Sequence, residues 1–115
     1  MQLLSLALLF VGEVTVIYAE EIGAKLFGKL SLGFVPAFVP TLVPLVIGAL
    51  CLVAGYMLGM RAFQNIWAVT AVSFGTILVA EPLFDYFYIG QVPGLGAGIG
   101  VGLGALGILA TLIIR

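Results

Sequence analysis

The side chains able to do chemistry are few, and the most unusual of them is an acid. Glu13 stands ten residues into an apolar stretch running from about Leu3 to Ile22, with no basic residue inside that stretch to pair with. A lone charge at bilayer depth is costly, so this residue is expected to face the protein interior or a wet cavity. Low dielectric disfavours the charged form of a carboxyl, which lets such a group exchange a proton near neutral pH or trade it for a cation. Glu20 follows seven residues later and so lies on nearly the same helix face. Thr15, Val16 and Tyr18 sit near or between the two acids. The plainer alternative is a neutral Glu13 hydrogen-bonded to a backbone carbonyl or to a Ser or Thr of another helix.

The remaining polar groups read as boundary markers. Glu81 and Asp85 close a third apolar stretch, and Glu81-Pro82 reads as a helix ending before a proline. Arg61 ends a second stretch and is expected to snorkel to headgroups. Tyr56 and Trp67 offer ring faces to an apolar cation and, with Thr15, are the candidate lining residues; their commoner fate is lipid or interface.

Two motif matches dissolve in context. Gly23-Ala-Lys-Leu-Phe-Gly28-Lys29 has the first seven positions of a phosphate-binding loop, yet Leu30 replaces the magnesium-holding hydroxyl and no α/β pattern surrounds it. Gly102-Leu-Gly104-Ala-Leu-Gly107 satisfies the dinucleotide glycine pattern inside an apolar span, where no βαβ unit can form.

The elements that must position these residues follow from composition. The 115 residues are 63% hydrophobic and 8% charged, with a mean hydropathy of +1.35. Soluble chains carry about 25% charged residues, so this one cannot cover a surface in water. Four Lys/Arg against five Asp/Glu give a net charge of -1; no basic stripe exists for nucleic acid. With no histidine and only Cys51, an internal disulfide is excluded and a zinc or haem site of the usual ligand types is not expected. No cofactor and no enzymatic activity are expected, because no nucleophile–base pair is present.

A span needs about 20 apolar residues. Four stretches qualify, near residues 3–22, 38–60, 63–84 and 94–114. Open sheet edges are not tolerated in lipid, so the fold class is all-α integral membrane. The arrangement expected is one four-helix antiparallel bundle with short loops, filling residues 1–115. Met1–Ala19 lacks the basic start of a signal peptide and puts Ile17 where a small residue is preferred, so it reads as a retained span.

The loops and the last span add detail. Glu21 and Lys25 stand four apart, with Lys29 a turn on, as in a helical segment at the membrane surface. Prolines 36, 40 and 44 recur every fourth residue at the opening of the second span, and Pro44 should bend it. Asp85-Tyr86-Phe87-Tyr88 is an aromatic cluster of the interfacial type. In the last span Gly94, Gly96, Gly98, Gly100, Gly102 and Gly104 alternate with larger residues. Glycines four apart form smooth grooves, so this helix reads as a packing surface, within the chain or between chains. Lys25 and Lys29 at one end against Arg61 and Arg115 at the other give no orienting bias, which suits dual insertion and antiparallel pairing.

With Ala19-Glu20-Glu21-Ile22-Gly23, Leu26, Gly33-Phe34, Pro40-Thr41, Ile66-Trp67 and Glu81-Pro82-Leu83, the chain resembles the small multidrug resistance family. More broadly, it resembles the four-helix units of the drug/metabolite transporter superfamily. The resemblance covers most of the chain with gaps, and its coupling glutamate falls on Glu20. It implies a proton-coupled exporter of cationic compounds in the cell membrane, working as an antiparallel homodimer. The competing expectation is a structural or accessory subunit of a larger membrane complex, with the glycine-rich helix docked on other subunits.

Overall fold

The computed structural model describes residues 1–114. Arg115, one of the four charges in the orientation argument, lies outside the described residues. The described residues are helical, without strands, and four helical stretches are long and apolar enough to cross a membrane: Gln2–Lys29, Phe34–Phe63, Ile66–Ile89 and Leu95–Ile113. Within them α1 covers Gln2–Ala24, α2 Phe34–Phe38, α3 Leu42–Phe63, α4 Ile66–Phe84 and α5 Leu95–Ile113.

Helix ends follow local chemistry. Between α2 and α3, Val39–Thr41 tighten into a 3-10 turn. Pro40 and Pro44 supply no backbone N–H there, and the Thr41 hydroxyl donates to the Phe38 carbonyl at 2.6 Å. Only Gln64 and Asn65 separate α3 from α4. Gln64 closes α3 in the left-handed region (φ 55°), and the Asn65 side chain accepts from the backbone N–H groups of Trp67 and Ala68. The second span thus runs three residues beyond the expected end and the third begins three later. Nor does the third helix stop before Pro82: the proline lies inside α4. Both α1 and α4 end instead in five-residue π turns, Lys25–Lys29 and Asp85–Ile89.

Packing starts from α1, whose buried residues include Ser5, Leu9, Glu13, Ile17 and Glu21, four apart. A four-residue step overshoots the 3.6-residue turn, so this stripe winds slowly around the helix. It faces α3 early and α4 late. On α3 only Gly48, Gly55 and Gly59 are buried. They meet Val16, Leu9 and Ser5, while Gly12 of α1 meets Leu52. These pairs step down one helix as they step up the other, so α1 and α3 run in opposite directions. Glu13–Ser73 and Tyr18–Phe84 run the other way, with α1 and α4 side by side in the same direction. Contacts of α5 are with α4, at Gly104–Leu78 and Gly75–Ile108, again in opposed directions.

The helices therefore succeed one another as α3, α1, α4, α5, with α3 also touching α4 where Gly59 meets Val69. The Cα principal extents of 45 × 34 × 17 Å describe a slab of helices. Its faces carry bare apolar side chains such as Leu50, Phe74, Val79 and Leu103, and no residue of α5 is buried. In water such faces would aggregate; lipid is the solvent that fits them.

Candidate functional site

Glu13 is 7% exposed and lies between α1 and α4, where the Ser73 hydroxyl donates to its Oε1. Ser73 is 3% exposed. The expected interior placement of the acid is what the packing gives, and so is the partner named in the plainer alternative, a hydroxyl of another helix. A buried carboxyl with one hydroxyl donor has lone pairs to spare, so it can accept a second donor.

The next acids along α1 divide. Glu20 is exposed, whereas Glu21 is only 6% exposed. Neighbouring residues point about 100° apart on a helix, and here that turn separates two clefts. Glu20 lines a groove of about 540 Å³ between the end of α1 and the start of the second span, walled by Phe27, Phe34, Phe38 and Thr41. Phe34 and Phe38 stack there with centroids 5.6 Å apart. Glu21 lines a second cleft of about 710 Å³ with Lys29, Asp85 and Gln91, to which Gly94, Ala97 and Val101 at the start of α5 also contribute.

Four carboxyls, Glu20, Glu21, Glu81 and Asp85, thus gather at one end of the slab. Both lysines of the first π turn reach the second: Lys29 Nζ donates to the Ile89 carbonyl, and Lys25 Nζ stands 4.3 Å from the centroid of the Tyr88 ring. Tyr18 packs 6.1 Å from both Phe84 and Tyr88.

Several expected site residues are not brought together. Glu13 and Glu20 share no cleft, and one is sunk while the other is bare. Thr15 donates at 2.6 Å to the Val11 carbonyl of its own helix. Tyr56 is half-buried. Trp67 is 71% exposed at the first turn of α4 and lines neither cleft. The glycines of α5 do not form the chain's internal seam: a Cβ added at Gly96, Gly98, Gly100 or Gly102 would meet nothing within 4 Å. Only Gly104 approaches a neighbour closely, 3.1 Å from Leu78.

Sequence reasoning missed Ser73 and the pairing of Glu21 with Asp85. The signal was present in the four-residue step from Ser5 through Glu13 to Glu21, which reaches the second acid that the structure buries. Spacing by seven chose Glu20 instead. No known family of sequences, no curated protein and no solved structure matches this chain.

Proposed function

We propose that this chain is a small multi-pass transporter of the cell membrane, exchanging protons for cationic or small polar compounds as a homodimer of antiparallel four-helix units. The observation that carries this reading is Glu13, a carboxyl sunk between two apolar helices with one hydroxyl donor. Burying an acid in oil is costly, and the commonest return for that cost is ion or proton movement. Glu20 supplies the second coupling group: a bare carboxylate in a groove with aromatic walls suits an apolar cation. The resemblance to the small multidrug resistance family points the same way. Two broad apolar faces on a slab and an uncovered glycine helix support self-association.

The test is proton-driven flux in proteoliposomes carrying the purified protein. Glu13→Gln and Glu20→Gln are each expected to abolish uptake while the helical content and detergent-solubilised mass stay unchanged. Unaltered flux in both variants removes the transport reading. A second reading, a structural subunit of a larger complex, is favoured by the vacant glycine face of α5 and by a Glu13 already satisfied by Ser73. It predicts co-purification with unrelated chains, and a stable homodimer in mild detergent counts against it.

A further inference from the structure

The larger cleft carries charge of both signs, and the transport reading makes no use of it. Its inner wall is the Glu21 carboxyl, 6% exposed, facing Asp85 from the second π turn. Glu81 and Glu20 stand close enough to add to the negative field there. Two carboxyls that face each other are stable together only with a proton or a cation between them. The same cleft holds Lys29, eight residues further along the same helical run and exposed, whose ammonium is anchored to the Ile89 carbonyl and keeps two further N–H donors. Gln91 adds an amide beside it. The remaining lining is small or apolar (Ala24, Gly28, Ala97), so the space of about 710 Å³ is not filled by the chain itself. The neighbouring groove of Glu20, by contrast, has no cation among its lining residues.

We propose that this cleft binds a small zwitterion, its ammonium on Glu21 and Asp85 and its anionic group on Lys29. Both charged poles must be present in the ligand: an amine alone leaves the lysine unanswered, and an acid alone meets two carboxyls. The site uses neither Glu13 nor the groove of Glu20, so it stands or falls apart from the transport reading.

The experiment is calorimetric titration of the detergent-solubilised full chain with ω-amino acids of increasing length, from glycine to 6-aminohexanoate, against alkylamines of matching length. One member of the amino-acid series is expected to bind at least about tenfold tighter than its matched amine, the worth of one charge-assisted hydrogen bond. Glu21→Gln should abolish that binding, and Lys29→Gln should reduce it to the level of the amine. Lys29→Arg keeps the charge and should restore most of it, which separates a ligand contact from a loosened turn. The same titration in Glu13→Gln protein should be unchanged. Equal binding of amines and amino acids, insensitivity to Lys29→Gln in protein of unchanged helical content, or no binding by either series overturns the proposal.

Discussion

Two regions of this molecule are built on glycine, and only one of them is packed. Along the α1–α3 seam each buried glycine faces something that projects. Gly55 receives Leu9, Gly48 receives Val16, Gly12 receives Leu52, and hypothetical Cβ atoms there would fall 2.6 to 3.0 Å from the nearest of these atoms. On α5 the glycines are denser, yet their surroundings are open except at Gly104. Glycine therefore permits close approach without causing it. What makes the seam is the partner helix, which offers a branched side chain or backbone at the matching height.

The largest break in that comparison comes from filling the seam. A Cβ at Gly48 would stand 2.6 Å from Val16 Cγ2 and 3.0 Å from both the Gly12 carbonyl oxygen and the Val16 nitrogen. Backbone atoms cannot swing aside, so the helices must part. Gly48→Ala is expected to cost about 3 kcal/mol, the upper range for overpacking, and Gly48→Leu to prevent folding. Denaturing-detergent titration in mixed micelles, followed by circular dichroism, measures both. A Gly48→Ala protein as stable as wild type would mean the seam is looser than described.

The next effect tests the α1–α4 contact. Ser73→Ala removes the hydroxyl that donates to Glu13 and leaves the carboxyl without that partner, which costs about 1–3 kcal/mol in the same titration. Adding Glu13→Leu to Ser73→Ala should recover part of that loss, because an apolar pair leaves nothing unsatisfied. Strict additivity of the two substitutions would show that the two groups do not interact. A smaller effect sits at the α3–α4 link: Asn65→Ala removes the acceptor for two helix N–H groups and should cost about 1 kcal/mol.

Membrane class and the four spans were legible because lipid imposes length and continuous apolarity, and both can be read residue by residue. Interior burial of Glu13 was legible for the same reason. Helix ends were less so. The proline rule would end the third helix at Glu81, but in lipid the chain has no alternative to helix, so α4 carries Pro82 and finishes in a π turn. Neighbour relations were hidden almost entirely. Ser73 is one serine in an apolar run, and nothing local says that it stands opposite a residue sixty positions away. The glycines of α3 lack the alternation that marks those of α5, yet Gly48, Gly55 and Gly59 are the ones that pack.

The smallest expected effect is also the one that sharpens the contrast furthest. Gly98→Ala and Gly102→Ala place methyl groups in open space, so neither should change unfolding of the single chain by more than about 0.5 kcal/mol. Helix propensity in water would favour alanine by about 1 kcal/mol per residue, but in lipid the backbone is helical with or without it, so little of that gain is realised. Gly104→Ala should fall between the two regions. Its Cβ would lie 3.1 Å from Leu78 Cδ1, the rotatable end of a side chain, which can yield where backbone at Gly48 cannot. Mass measurement of the same variants in mild detergent then separates two uses of the open face. If α5 faces only lipid, Gly98→Ala and Gly102→Ala leave the mass unchanged. If a second copy packs there, as the homodimer reading requires, the methyl groups hold the helices apart and the assembly shifts toward the 12.0 kDa monomer while each chain stays folded.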